Sequence, residues 1–218
     1  MARAALAGNP EVELLELLPR RSSQEFARAG VIYSPQQPSA NLYLVTAGRV
    51  KVSTAPGDGQ MVCRLVFKGG LFGEPALLPP SDRSDTAVAL DATSLLSWTS
   101  GEIQEQVDLN PRLGVVLCQY MARQCFELAD RMQSLALYST PERVMLALAD
   151  LAHRTGVELP DKSTRVEALT HQTLSEYVGT SREVVTFQLN RLRSLGLIRY
   201  SRRFMDLSLP KLESALRR

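Results

Sequence analysis

The sequence predicts an α+β chain, with an antiparallel β-domain first, one long helix next, and a small helical domain with a β-hairpin last. Three observations carry this expectation. Residues 31–98 hold short runs rich in Val, Leu, Tyr and Phe (NLYLV, RVKVS, MVCRLVF, TAVAL), separated by turn residues at 47–48, 56–59, 68–70 and 79–82. Short strands between regular glycine turns read as a sandwich or barrel. Residues 110–138 have no proline after Pro111 and one glycine, and they repeat apolar residues in heptads. From residue 170 the chain reads helix, short glycine turn, helix, then an alternating segment.

Taken in order, residues 9–18 (NPEVELLELL) predict a short helix. Asn9 suits its cap, Pro10 its first turn, and the glutamates its positive end. The strands follow over 31–98, and Ser100 opens a second short helix. Asn110 and Pro111 open the long one, which runs to about Tyr138. Along it Gly114, Cys118, Met121, Cys125, Leu128, Met132 and Leu135 are spaced 4-3-4-3-4-3, an a/d seam over three heptads. Leu113, Val116, Leu117 and Tyr120 form a second apolar face. Two faces predict one against the β-domain and one against a second copy of the chain. Thr140-Pro141-Glu142 begins a helix that ends at Gly156, and residues 157–168 read as a loop or short strand. Thr170 then caps HQTLSEYV, Gly179 breaks the chain, Thr180 caps SREVVTFQLNRLRSL, and Gly196 stops it. LIRYSRRFMDLSL alternates as a small hairpin. The domains expected are 1–109, 110–138 and 139–218.

Composition excludes several classes of function. The 218 residues are 44% hydrophobic and 22% charged, as in soluble globular proteins. No apolar run approaches the ~20 residues of a membrane span, and the N-terminus has no signal-like apolar core, so a cytoplasmic protein is expected. The three cysteines, Cys63, Cys118 and Cys125, match no zinc spacing, and His153 and His171 are the two histidines. No metal site and no catalytic set is expected. A four-thiolate iron–sulfur cluster lacks its ligands. Residues 1–138 carry 12 basic against 14 acidic residues, and residues 139–218 carry 13 against 9. The basic excess at the C-terminal end favours a nucleic-acid partner.

Helix, glycine turn, helix and basic hairpin outline a winged helix–turn–helix. Ser181, Arg182 and Glu183 stand in the first turn of the second helix, where such helices meet base edges in the major groove. Arginine suits guanine O6 and N7, and glutamate accepts from cytosine N4. Phe187, Gln188 and Arg191 follow as candidate contacts. Arg199, Arg202 and Arg203 on the hairpin suit phosphates. A structural alternative stands beside this for Glu183, because Thr180-Ser181-Arg182-Glu183 also spells a capping box.

The segments FGEPALL…DRSDTAV and TLSEYVGTSREVV…LRSLGLI, in this order and spacing, resemble the Crp/Fnr superfamily of bacterial transcription regulators over nearly the whole chain. The resemblance implies an N-terminal β-roll (jelly roll) sensor, a dimerisation helix and a C-terminal winged helix–turn–helix. It implies a homodimer that binds a pseudo-palindromic operator in double-stranded DNA, with RNA polymerase as a further partner. It implies a small effector, a cyclic nucleotide being the candidate, held by Gly73, Glu74, Arg83 and Ser84. In such sites the glutamate takes a ribose hydroxyl and the arginine the cyclic phosphate. Three departures are visible: Asp85 replaces an alanine, Leu128 and Ala129 replace adenine-reading hydroxyl residues, and Phe187 replaces a recognition-helix arginine.

Three alternatives remain open at the level of sequence. Arg83 paired to Glu74 or Asp85 would make residues 71–86 a β-roll corner with no ligand. Cys118 and Cys125, on the seam with Met121, Leu128, Met132 and Leu135, would let thiol oxidation act across a dimer, or serve as small apolar filler. A cyclic-nucleotide regulatory subunit acting through protein contacts is the reading from another class.

Overall fold

The computed structural model describes residues 10–55, 59–79, 82–201 and 203–216. Asn9, Arg202 and the tip of the 56–59 turn lie outside the described residues. The chain divides into two compact units between Leu128 and Ala129.

The first unit begins with helix α1 (Pro10–Leu17). Eight strands follow: β1 (Gln24–Phe26), β2 (Val31–Tyr33), β3 (Asn41–Ala47), β4 (Val50–Thr54), β5 (Met61–Val66), β6 (Leu71–Phe72), β7 (Thr86–Ala89) and β8 (Thr93–Thr99). They form two four-stranded antiparallel sheets, ordered β1-β8-β3-β6 and β2-β7-β4-β5. A short 3-10 turn, Glu74–Leu77, links β6 towards β7.

Strand β3 shows why a continuous apolar run belongs here. Successive side chains of a strand point to opposite faces. Tyr43 and Val45 join Tyr33, Val52, Val66, Phe72 and Leu95 in a core drawn from both sheets. Leu42 and Leu44 turn the other way. They meet Leu71, Trp98 and the helices through Leu14, Ile103, Leu113, Val116 and Tyr120. A strand buried on both faces has no polar alternation.

Helix α2 (Ser100–Leu109) starts from Thr99, which forms a capping box with Glu102. Glu102 also takes two hydrogen bonds from Arg21, the shorter at 2.5 Å. Helix α3 (Pro111–Leu137) is the long one. Its Leu113, Val116, Leu117 and Tyr120 are buried against the β-domain, as the second apolar face predicts. The Tyr120 hydroxyl accepts from the Leu71 N–H at 2.8 Å and donates to the Leu71 carbonyl at 2.9 Å.

In the second unit, helix α4 (Thr140–Thr155) is capped by a box formed by Ser139 and Glu142. Strands β9 (Val157–Glu158) and β10 (Thr164–Glu167) come next, then α5 (His171–Val178), α6 (Arg182–Ser194), β11 (Ile198–Tyr200), β12 (Phe204–Leu207) and α7 (Leu209–Leu216). The hairpin is thus part of a larger sheet ordered β11-β12-β10-β9, in which β10 pairs over four residues with β12. That pairing joins segments some 40 residues apart (Arg165 opposite Asp206), beyond any local pattern. Helix α7 was not foreseen. Its LPKLESAL is short, buries Leu212, and is tied to α4 by His153 and Glu213 at 3.3 Å. Among the described residues no helix is long and apolar enough to cross a membrane.

Glu102 yields a pH-dependent prediction. Arg21's hydrogen bonds, then the Thr99 N–H, hold its pKa at about 2 against an ordinary 4.5. A depressed carboxylate contributes stability that is complete above its unfolded pKa and is lost as pH falls through the folded value. Glu102→Gln is therefore expected to be less stable than wild type at pH 7, with the gap closing between pH 4.5 and 2. Urea unfolding at stepped pH measures it; a gap constant down to pH 2 contradicts the assignment.

Candidate functional site

The corner between β6 and β7 assembles from a glycine. Gly73 has φ 84°, in the left-handed region. A Cβ there would lie 2.8 Å from the Asn41 carbonyl oxygen, 3.1 Å from the Tyr43 ring and 3.3 Å from Arg83 Nη1. The bare backbone lets the Arg83 side chain pass. Arg83 is held by its own backbone, since its N–H donates to Gln37 O and its carbonyl accepts from Gln36 N.

Arg83 is 4% exposed. Nη2 donates to Asn41 O at 2.7 Å. The group lies 3.8 Å over the Tyr33 ring and 5.8 Å from that of Tyr43, which stacks on Phe72. Nη1 is buried and has no hydrogen-bond partner among the described residues. The alternative in which Arg83 pairs with Glu74 or Asp85 is not seen among the described residues, and each carboxylate has another partner. Glu74 is bound by Arg64 at 2.6 Å, and Arg64 also donates to the Leu71 carbonyl. Burial disfavours the Arg64 charge, but Glu74 together with Tyr120 and Tyr33 offsets it, so the guanidinium pKa is raised. Asp85 accepts from the Tyr33 hydroxyl at 3.1 Å through Oδ2, while its Oδ1 is buried and unpartnered. Burial, then the Asp85 charge, pushes the Tyr33 phenol upward. Ser84 is exposed.

The second site is the helix pair. Thr170 caps α5 by accepting from Thr173 N at 3.0 Å. Gly179, at φ 69°, ends it, and a Cβ there would come within 3.1 Å of a Leu135 methyl carbon. Helix α6 starts one residue later than expected. Its cap is Ser181, not Thr180, and it accepts from Val184 N at 3.4 Å. Val184, not Glu183, then occupies the third helical position, so no capping box engages Glu183. Its carboxyl is held below its usual range by its own N–H, then by Ser181, and the side chain is exposed. Arg182 and Arg191 are exposed as well, and Phe187 is 65% exposed.

Gln188 behaves differently. With Val185, Leu189 and Leu192 it repeats at i, i+3, i+4 and i+7 on the buried face, 8% exposed. It faces inward, so a groove contact is not open to it. The hairpin is also more committed than expected. Arg199 pairs with Asp161 at 2.6 Å, and Arg165 with Asp206. Tyr200 donates to Asn190 at 2.9 Å, fastening the hairpin to α6. Arg203 is exposed beside Phe204.

Two family models match the chain in succession. Residues 23–110 match the model of the cyclic nucleotide-binding domain, and residues 142–215 that of the Crp-like helix-turn-helix domain. The chain is 31% identical over 159 residues to the "Cyclic AMP receptor protein" of Thermus thermophilus, covering 72% of this chain and 70% of that one. It is 30% identical over 182 residues to "Transcriptional regulator SdrP" of the same organism, covering 82% and 86%. The chain belongs to the Crp/Fnr family of transcriptional regulators. The crystal structure of a Crp/Fnr-family transcriptional regulator from Thermus thermophilus superposes with TM-score 0.74 at 27% identity, covering 90% of this chain and 99% of that one. The Crp/Fnr fold is therefore shared from the β-domain through the long helix to the helix–turn–helix, and its members are DNA-binding regulators, not enzymes.

Within this Crp/Fnr chain, Gly73, Glu74, Arg83 and Ser84 lie on one corner. Sequence reading missed Arg64, Tyr33 and Tyr43, which reach that corner from other strands and carry no motif of their own. On α3 the seam residues Cys118, Cys125, Leu128, Met132 and Leu135 are exposed, and Met121 is half-buried against the β-domain core.

Gly73→Ala tests the corner. A non-glycine residue in the left-handed region costs about 1–2 kcal/mol, before its Cβ meets Asn41 O. Denaturant unfolding should show at least that loss; an unchanged midpoint would contradict the close approach.

Proposed function

We propose that this Crp/Fnr regulator acts in the cytoplasm as a homodimer on a pseudo-palindromic operator, switched by a small anionic effector at the Arg83 corner. The sensor is residues 1–109, the dimerisation helix 110–138 and the DNA-binding head 139–218. The observation that carries the DNA contacts is the first turn of α6. There Ser181, Arg182 and Glu183 are exposed together, and the Ser181 cap leaves Glu183 outside any capping box. Arg182 and Glu183 read base edges, Phe187 meets a thymine methyl, and Arg191, Arg202 and Arg203 take phosphates.

The dimer reading rests on the unburied stripe of α3, where Leu128 is 53% and Met132 68% exposed. Apolar residues at a/d spacing on one long helix bury themselves best against a second copy. Two copies place two recognition helices about one helical turn apart, ~34–36 Å. RNA polymerase is a further partner in the regulatory step. For the effector, the buried guanidinium has an unpartnered Nη1 and no ion pair among the described residues, which suits an anion. The cyclic nucleotide-binding domain match and the name of the Thermus relative make a cyclic nucleotide the first class to try. Such an effector acts only if it binds one head orientation better than the other.

The test begins with a selection of duplex DNA from a random pool, followed by anisotropy titrations at several salt concentrations. Phosphate contacts predict a steep fall of log K with log salt. Arg182→Ala and Glu183→Ala should each cost about 1–3 kcal/mol on the selected site, with little change on unrelated DNA. Equal losses on both would make them phosphate contacts only. In sedimentation, Met132→Glu with Leu128→Glu should give a monomer where wild type is a dimer; a wild-type monomer removes the dimer reading.

A further inference from the structure

Helix α5 has eight residues, and a helix that short is marginal in water. Its direction is set by what holds its ends. Thr170 holds the first. At the last, the Gly179 and Thr180 N–H groups both donate to the Ser175 carbonyl. The carbonyls of Tyr177, Val178 and Gly179 are then taken by arginines from two other helices of the same compact unit. Arg131, near the end of α3, donates to Tyr177 O at 2.9 Å and lies 4.5 Å from the centre of the Tyr177 ring. Arg143 of α4 donates through Nε to Val178 O at 3.0 Å and through Nη2 to Gly179 O at 3.2 Å. The same guanidinium reaches back to the junction of α3 and α4, with Nη1 on Tyr138 O at 3.2 Å and Nη2 on Thr140 Oγ1 at 3.3 Å. Leu135, one turn beyond Arg131, stands beside Gly179.

A cation near a helix C-terminus is favoured by the helix dipole, and that accounts for one arginine beside α5. It does not account for where these bonds go. They fall on three consecutive carbonyls of the turn, and Arg143 ties that turn to the segment by which α3 passes into α4. Thr180 and Ser181 alone separate Gly179 from Arg182, so the first turn of α6 follows wherever the three carbonyls are held. We propose that Arg131 and Arg143 are positioning residues for DNA reading: they fix the angle at which Arg182 and Glu183 are presented relative to the end of α3. Neither arginine has to touch DNA for this. Arg143 spreads three nitrogens over four oxygens in two separate segments, and a lysine ammonium, a single point on its stem, cannot span them. In a dimer built on α3, the angle sets the separation of the two recognition helices, and so the half-site spacing that binds best. This rests on the recognition-helix and dimer readings of the proposed function.

The probes are the duplex selected from the random pool, the same duplex with one base pair added or removed between its half-sites, and an unrelated duplex of equal length. Anisotropy titrations use the full-length wild type, Arg143→Lys and Arg131→Gln, at a temperature where circular dichroism shows each folded. Wild type should prefer the selected spacing by about 10-fold or more. Arg143→Lys should weaken binding at that spacing about 10-fold and bring the preference below about 3-fold, with affinity for the unrelated duplex and the salt slope unchanged. Arg131→Gln, which leaves the Arg143 fork in place, should relax the preference in the same direction to a smaller degree, and it decides the matter if Arg143→Lys does not fold. A spacing preference kept by both variants overturns the proposal. Weaker binding with the preference intact also overturns it, since the arginines would then only cap α5. An equal loss on every duplex, with a shallower salt slope in Arg131→Gln, overturns it by making them phosphate contacts. A wild type indifferent to spacing overturns it as well, and sedimentation then tells whether the dimer reading falls with it: a monomer removes both, whereas a dimer leaves that reading standing.

Discussion

Leu71 is half of a two-residue strand, and its peptide groups are shared among three elements. Its N–H goes to the Tyr120 hydroxyl on α3, and its carbonyl accepts from both Tyr120 and Arg64. A carbonyl oxygen has two lone pairs, so this one is saturated. Because buried polar groups must be paired, α3, β5 and β6 hold one another in register. Gly73 and Glu74 follow at once, so the position of the corner depends on a tyrosine nearly 50 residues away. The connection runs in both directions. Whatever displaces Glu74 from Arg64 disturbs a group that shares its acceptor with Tyr120, on the helix whose other side carries the seam. It is a physical contact path, and it switches only for a ligand that favours one of two states.

The charges of the corner follow a simple division. Two guanidinium groups and two carboxylates belong to the corner, yet among the described residues only Arg64 and Glu74 of these pair directly. Arg83 is left with a backbone carbonyl and two aromatic faces. Attraction to a ring face offsets part of the cost of burying a cation; it does not replace a counter-charge. Arg83 is thus positioned by its own backbone and left without an ion pair among the described residues.

The DNA end shows how a shift of one residue changes an interpretation. With Thr180 as cap, Glu183 would spend its carboxylate on the helix start. With Ser181 as cap, Glu183 stands one position too early to close the box, and its carboxylate meets its own N–H and Ser181 instead. Gly179 in the left-handed region turns the chain sharply enough for α6 to follow α5 after three residues. The apolar repeat of α6 then decides which of its polar residues remain available. Gln188 falls on the buried repeat, and Phe187 falls opposite it.

By itself the sequence determined the order of the units, the long helix with its two apolar faces, the turn at Gly179 and the pairing of Gly73 with Arg83 in one short segment. These are local properties: period, cap residues, glycine position and charge lie within a few residues of one another. Tertiary structure alone decided which carboxylate Arg64 takes, that Tyr33 lies beneath Arg83, that β10 extends the hairpin sheet and that α7 packs on α4. Each of these joins residues distant in the chain, and partner choice among several arginines and acids depends on distances of a few ångströms that no periodicity encodes. The Gln188 inward turn lies between the two cases. Its i, i+3, i+4, i+7 relation to Val185, Leu189 and Leu192 is written in the sequence, but a glutamine on that stripe becomes a core residue only once the neighbouring helices close over it.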